Sequence, residues 1–171
     1  YCPRVKGGGL FCDGATSTVE GCFILNNTST HGSATVHNQI FAGGMFMYEG
    51  TCFNTLIANN YSYGSSGGVG FCVGRFYNNT IAYNTCNLQE DGAYNGGAIS
   101  LATASSPNLF VANTIIYGNN GIAIRDRNTG VGNVTPYINC YIQSTVAQPY
   151  NATIKNVTNW TESNKTNYGI G

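Results

Sequence analysis

Short apolar blocks recur along the chain, and each follows a pair of glycines. The four clear copies are Gly8-Gly9-Leu10-Phe11, Gly43-Gly44-Met45-Phe46, Gly67-Gly68-Val69-Gly70-Phe71 and Gly96-Gly97-Ala98-Ile99. Gly121-Ile122-Ala123-Ile124 is a degenerate fifth copy. The first glycines of the four pairs are separated by 35, 24 and 29 residues. Self-similarity of this kind is the sequence pattern of a repeat protein.

A second motif lies between the glycine pairs and combines asparagines with a β-branched centre. Its clearest copies begin at Asn54, Asn79 and Asn113, and weaker copies begin at Gly21 and Asn139. The five starting positions are separated by 33, 25, 34 and 26 residues. Two independent motifs therefore share one irregular period.

The pattern favours strands over helices. No stretch carries apolar residues at helical spacing over three turns without a glycine. Thr, Ile, Val and Tyr fill the segments between Gly and Asn, which is typical of short strands separated by turns. A β-sandwich with glycine-rich hairpins accounts for the strands but not for the shared period. In a parallel β-helix each repeat winds once, and its strands stack about 4.8 Å from those of the next.

We therefore predict an all-β, single-domain, right-handed parallel β-helix (a β-solenoid) of about five to six irregular coils. Its repeats occupy residues 1–146, and residues 147–171 form a C-terminal strand, a cap or an inter-subunit tail. Aligned asparagines are expected to form hydrogen-bonded ladders, and aligned Ile, Leu and Val to fill the interior. The glycine pairs are expected at corners that a Cβ atom would obstruct.

Composition excludes several classes of function. Charged residues make up 8 % of the 171 residues, against roughly 25 % in an average soluble domain. Seven basic and seven acidic residues give no net charge, so a nucleic-acid partner is not predicted. No apolar run approaches the ~20 residues of a membrane-spanning helix. The chain starts without an initiator Met or a signal peptide, which predicts a processed chain or a fragment.

The alternation of the two motifs resembles the repeats of polymorphic outer-membrane proteins and related right-handed β-helix surface proteins. The resemblance depends on Gly96-Gly97-Ala98-Ile99 together with Phe76-Tyr77-Asn78-Asn79 and Phe110-Val111-Ala112-Asn113, and it covers about residues 7 to 145. It implies a secreted or surface-anchored β-helix used for adhesion or display. An extracellular or cell-surface location is accordingly expected.

The seven cysteines also suggest an oxidising compartment. No C-x-x-C pair and only two histidines, His31 and His37, accompany them, which argues against a zinc site. Buried thiols are one interpretation, and a secreted chain with two or three disulfides is the other. Matching Glu20-Gly21-Cys22-Phe23 to Glu49-Gly50-Thr51-Cys52-Phe53 predicts a disulfide between Cys22 and Cys52. The alignment of the repeat motifs instead offsets these two cysteines by a few positions.

Nine Asn-x-Ser/Thr sequons are candidates for N-linked glycans in a secreted eukaryotic protein. They begin at Asn26, Asn27, Asn60, Asn78, Asn133, Asn151, Asn156, Asn159 and Asn164. Covalently attached glycans would explain how a chain with few charges stays soluble. The alternative is that an Asn-Asn-Thr ladder motif matches the sequon by chance.

No constellation of residues predicts catalysis, and no catalytic residue, cofactor or metal is assigned. Glu90-Asp91 is the only adjacent acidic pair and lies in a turn-like string. We predict a non-enzymatic extracellular structural protein, a surface or filament-forming β-helix subunit that self-associates end to end. The alternative is a carbohydrate-binding or adhesin module, and a polysaccharide lyase or hydrolase acting through Glu90 and Asp91 is less favoured. The carbohydrate-binding alternative depends on rows of Tyr48, Tyr61, Tyr63, Tyr77, Tyr83, Tyr94 and Tyr117.

Overall fold

The computed structural model describes most of the repeat region and none of the C-terminal tail. The described residues are 7–30, 42–64, 66–72, 74–87, 96–101, 110–120, 122–126 and 137–143. Within these ranges the chain forms eighteen short strands and no helix. The predicted C-terminal segment 147–171 lies outside the described residues.

The strands belong to four sheets, and neighbouring strands run parallel. Sheet A contains β1 (Leu10–Cys12), β5 (Met45–Met47), β9 (Val69–Cys72), β13 (Gly96–Leu101) and β16 (Ile122–Asp126). Sheet B contains β2 (Thr18–Glu20), β6 (Thr51–Phe53), β10 (Arg75–Tyr77), β14 (Phe110–Ala112) and β17 (Tyr137–Ile138). Sheet C contains β3 (Phe23–Leu25), β7 (Leu56–Ala58), β11 (Thr80–Ala82), β15 (Ile115–Tyr117) and β18 (Tyr141–Ile142). Sheet D contains β4 (Thr28–Ser29), β8 (Tyr61–Ser62) and β12 (Thr85–Cys86).

In repeats 1 to 3 the chain visits the sheets in the order A, B, C and D, and the described strands of repeats 4 and 5 keep the order A, B and C. Repeat 1 is β1–β4, repeat 2 is β5–β8, repeat 3 is β9–β12, repeat 4 is β13–β15 and repeat 5 is β16–β18. Each strand pairs with the equivalent strand of the preceding and following repeats. This parallel, cyclic order is solenoid-like, and it confirms the prediction of an all-β chain with stacked repeats.

The interior consists of columns, each made by one equivalent position in successive repeats. The central residue of every sheet C strand is isoleucine and is buried: Ile24, Ile57, Ile81, Ile116 and Ile142. Sheet B contributes Val19, Cys52, Phe76 and Val111 to the same core. Burying one such aliphatic side chain stabilises the fold by about 1.5–3 kcal/mol. The predicted apolar interior is therefore confirmed.

A turn with left-handed backbone separates sheet B from sheet C in every repeat. Its residues are Gly21, Asn54, Asn78, Asn113 and Asn139, with φ between +47° and +61°. Asn is one of the few residues that adopts this conformation readily. The second motif thus begins at Asn78 in repeat 3, and the starting position predicted at Asn79 is one residue too late.

The pairs that begin at Gly43 and Gly67 lie where the chain passes from sheet D back to sheet A, and Gly96-Gly97 begins β13 of sheet A. Backbones of successive repeats approach closely there: a Cβ atom on Gly67 would lie 2.6 Å from the carbonyl oxygen of Gly97. The predicted corner role is confirmed, with close approach as its cause. Because Ile99 pairs with Val69, Gly97 is the residue that stacks on Gly67. The sequence motifs align Gly96 with Gly67, and this predicted alignment is therefore one residue early.

Candidate functional site

An asparagine ladder follows the corner between sheets C and D. Asn27, Asn60, Asn84 and Asn119 occupy equivalent positions in repeats 1 to 4, and each Nδ2 donates 2.9 Å to the Oδ1 of the next asparagine. The backbone N–H groups of the first three asparagines donate to the same oxygens over 2.9–3.0 Å. The last three side chains are almost fully buried. The predicted Asn ladder is confirmed.

A second polar column follows the corner between sheets B and C. It consists of Cys22, Thr55, Asn79, Thr114 and Cys140, one residue after each left-handed turn residue. The backbone N–H of each residue donates to the side chain of the next, at 3.3 Å for Cys22 to Thr55 and 3.0 Å for Thr55 to Asn79. The Asn79 N–H continues to Thr114 Oγ1 at 3.4 Å, and the Thr114 N–H bonds to the Cys140 thiol.

The carbonyls of this second column also have a fixed direction. The N–H of Leu56, Thr80, Ile115 and Tyr141 donates to the column carbonyl of the preceding repeat over 2.9–3.1 Å. By this rule, the N–H of the equivalent residue in repeat 1, Phe23, points away from repeat 2. Likewise, the Cys140 carbonyl points beyond repeat 5, and among the described residues neither group has a partner.

Repeat 1 is the edge of all four sheets. The outermost strands at this end are β1, β2, β3 and β4. Phe23 of β3 is 75 % exposed, more than any other large apolar side chain of the described residues. Equivalent side chains within the stack have a neighbouring repeat on both sides, and Ile115 is 47 % exposed. An exposed apolar side chain and the outermost described strands of the four sheets thus lie together at one end.

Sequence reasoning predicted end-to-end association but missed Phe23, because this residue has no distinguishing neighbours in the sequence. Its strand reads Phe-Ile-Leu, as apolar as the sheet C strands of later repeats. Only its place in the first repeat exposes it. The second polar column was detectable, since its residues occupy the second position of every copy of the second motif once the copy in repeat 3 begins at Asn78.

Cys22 and Cys52 do not occupy equivalent positions in repeats 1 and 2, as the predicted disulfide between them requires. Glu20 pairs with Phe53, and Cys52 pairs with Val19. Cys22 lies beneath Thr55, as its N–H bond shows. Both cysteines are thiols, Cys22 exposed and Cys52 buried. The shared Glu-Gly string therefore does not mark equivalent positions in repeats 1 and 2.

Burial controls the protonation of two core thiols. Desolvation raises the pKa of Cys52 to about 12, although a hydrogen bond from Thr55 opposes the shift. Desolvation also raises the pKa of Cys140, and hydrogen bonds between its thiol and the backbones of Thr114 and Ile138 oppose this shift. Because the thiolate is the nucleophile, both groups are unreactive while they are covered.

Four sequons fall on described residues, and their asparagine side chains differ in exposure and hydrogen bonding. Asn26 and Asn78 are exposed turn residues, whereas Asn27 and Asn60 belong to the Asn ladder. Asn60 is 1 % exposed, and its Nδ2 donates to Ile24 O and Asn84 Oδ1, each at 2.9 Å. An N-linked glycan replaces a hydrogen on this nitrogen. The sequons at Asn133, Asn151, Asn156, Asn159 and Asn164 lie outside the described residues.

We expect glycans on Asn26 and Asn78, and none on Asn60, when the chain is secreted folded from a eukaryotic cell. Glycopeptide mass spectrometry measures this directly. Thr28→Ala and Thr80→Ala remove the sequons of Asn26 and Asn78 without touching either asparagine, and each variant is expected to lose one glycan. Finding a glycan on Asn60 in folded protein would contradict the ladder geometry.

Several of the tyrosines proposed to bind sugars contact another aromatic ring. Tyr77 stacks on Phe53 with centroids 5.0 Å apart and planes 7° from parallel. Tyr83 and Tyr117 meet edge to face at 5.7 Å. A sugar stacks on an open aromatic face, and these contacts cover one face of Tyr77 and tilt Tyr83 against Tyr117. Tyr83 and Tyr117 therefore do not form a coplanar platform. Tyr94 lies outside the described residues.

Other candidate residues are not brought together by the fold. Among the described residues, no three His, Cys, Asp or Glu side chains cluster closely enough to hold a metal ion. His31, His37, Glu90 and Asp91 lie outside the described residues. No helix in the described part of the chain is long and apolar enough to cross a membrane.

Comparisons with known proteins find no relative of this chain. No model of a protein family matches the chain, and neither a curated protein nor a solved structure does. The class that the fold defines is an all-β chain of stacked parallel repeats. The resemblance to polymorphic outer-membrane proteins stays a prediction.

Proposed function

We propose that this chain is a closed, right-handed β-helix whose subunits stack end to end into an extracellular structural filament. The observation that supports it is the common end of the four sheets in repeat 1, with exposed Phe23 beside the open strand edges. Right-handedness is favoured because about 98 % of parallel crossover connections have that hand. The role is mechanical and requires no catalytic residue.

The two ends of the described stack are complementary. Phe23 offers an N–H that points away from repeat 2, and Cys140 offers a carbonyl that points beyond repeat 5. Stacking repeat 1 of one subunit on repeat 5 of another joins these groups and continues sheet C from β18 to β3. The side chain of Phe23 then covers the column that ends at Tyr141.

Little in repeat 1 opposes such stacking. Proteins protect open strand edges with charges, prolines or covering segments. The strands β1 to β4 contain one charged residue, Glu20. The strands β17 and β18 read Tyr-Ile and contain none. Extracellular placement is part of the proposal and is supported by the sequons at the exposed residues Asn26 and Asn78.

Phe23→Lys is expected to suppress filaments while leaving the subunit folded. Covering Phe23 contributes about 2 kcal/mol, so its loss raises the concentration needed for assembly roughly thirtyfold. A lysine on the edge adds a desolvation cost. Sedimentation and negative-stain electron microscopy measure assembly, and thermal unfolding by circular dichroism measures the subunit.

Ile115→Lys is the matched control, because Ile115 occupies the same outward column in the interior of the stack. It is expected to leave the assembly concentration unchanged. A wild-type chain that stays monomeric at high concentration, or equal effects of the two lysines, would exclude end-to-end stacking through repeat 1.

A further inference from the structure

The second polar column has the same residue type at both of its ends. Repeats 2, 3 and 4 place Thr55, Asn79 and Thr114 there, whose side-chain oxygens accept the N–H of the preceding repeat. Repeats 1 and 5 place Cys22 and Cys140. Sulfur is a weaker acceptor than oxygen, so cysteine at these two positions accepts a backbone N–H less well than threonine or asparagine does.

We propose that neighbouring subunits are joined by a disulfide between Cys140 of one subunit and Cys22 of the next. The inference rests on the proposed end-to-end stacking, which places these two residues next to each other in one column. Column neighbours in parallel strands lie about 4.8 Å apart, inside the roughly 4.4–6.8 Å that disulfides span between Cα atoms. The disulfide continues the column across the joint.

The two thiols of this joint have different surroundings. Cys22 is exposed at the open end, and its thiol lies 3.2 Å from Glu20 O. Cys140 is buried, and its thiol lies 3.3 Å from Ile138 O and 3.6 Å from Val111 O of the preceding repeat. The proposed disulfide requires the Cys140 side chain to rotate toward the open end. Cys52 belongs to a different column, and Cys12 lies in sheet A. Neither competes for the position opposite Cys140.

The bond forms by two thiol–disulfide exchanges with a small disulfide such as oxidised glutathione. The Cys22 thiolate attacks the small disulfide and releases one glutathione thiol, leaving a mixed disulfide on Cys22. The Cys140 side chain of the preceding subunit then rotates from Val111 O toward the joint, and its uncovered thiol loses its proton to solvent. The resulting thiolate attacks the Cys22 sulfur and releases the second glutathione. Two protein thiols are oxidised, and one small disulfide is reduced to two thiols.

The test oxidises preassembled, full-length chains with oxidised glutathione and then blocks the remaining thiols. Non-reducing gels are expected to show a ladder of covalent multimers that collapses on reduction. Mass spectrometry is expected to find the Cys22–Cys140 peptide pair. Cys22→Thr, which introduces the residue found in repeats 2 and 4, is expected to form fibres of normal appearance that run as single chains on the gel.

Cys12→Ser is the matched control in repeat 1, and its covalent ladder is expected to be unchanged. Fibres whose chains oxidise without the Cys22–Cys140 pair, or multimers that persist in Cys22→Thr, overturn the disulfide and leave the stacking intact. A bridge from Cys22 within one chain overturns it as well. If neither the wild type nor any variant forms fibres, the stacking proposal and the disulfide fail together.

Discussion

Replacing Gly67 by alanine is expected to destabilise the fold strongly. A Cβ atom at this position would lie 2.5 Å from the backbone nitrogen of Thr85 and 2.6 Å from the carbonyl oxygen of Gly97. Both atoms are backbone, and they come from the same and from the next repeat, so no side-chain rotation relieves the contact. Overpacking against movable side chains already costs about 1–3 kcal/mol. Displacing two backbones also disturbs the bonds from Gly44 N to Gly67 O and from Gly68 N to Gly97 O.

We expect Gly67→Ala to lower the free energy of unfolding by more than about 3 kcal/mol. This is a large part of the 5–15 kcal/mol by which a typical domain is stable. Circular dichroism at increasing denaturant concentration measures the loss. Gly21→Asn is the control, since Gly21 has φ +61° and its Cβ would meet nothing within 4 Å. Its effect is expected to stay within about 0.5 kcal/mol. Unfolding curves of Gly67→Ala that match the wild type would exclude the close approach of repeats at this column.

The repeat architecture was predictable because its physical causes are repeated in the sequence. All five repeats place an isoleucine inside sheet C. Repeats 1 to 4 each place an asparagine in the ladder and a glycine where backbones approach closely. Register was predictable only to within one residue. Asn78 and Asn79 are identical letters, yet one adopts the left-handed turn and the other enters the column. The pairing of Ile81 with Ile57 determines which of the two asparagines lies in the turn. This pairing is seen in the structure and is not encoded by the neighbouring residues.

The candidate site was less predictable than the fold. Exposure of Phe23 follows from its place in the first repeat and not from its neighbours in sequence. The similarity of Glu20-Gly21-Cys22 to Glu49-Gly50-Thr51-Cys52 misaligned the cysteines, because Glu20 lies in a strand and Glu49 lies before one. Once the register is known, the column from Cys22 to Cys140 is evident.

In each of repeats 1 to 4, one asparagine side chain provides the hydrogen bonds of the Asn ladder. Asn84 Nδ2 donates to Asn119 Oδ1 and to Ile57 O, each at 2.9 Å. Its Oδ1 accepts from the side chain and the backbone of Asn60. The residue is completely buried, so water replaces none of these bonds. Asn27 stands at the end of the ladder, is half-buried, and donates one side-chain bond, to Asn60.

Asn84→Asp is therefore expected to destabilise the chain by about 3–5 kcal/mol at neutral pH, although the two side chains have the same shape. The carboxylate loses both donated bonds and faces the oxygens of Asn119 and Ile57 without water. Burial raises the pKa of the new carboxyl in the folded state, so the folded chain binds a proton that the unfolded chain releases, and the loss shrinks as the pH falls. Denaturant unfolding at neutral and acidic pH, each compared with the wild type at the same pH, measures both effects. Asn27→Asp is expected to cost less than about 1 kcal/mol, since its carboxylate reaches water. Equal losses in the two variants would mean that the buried amides do not hold the repeats in register.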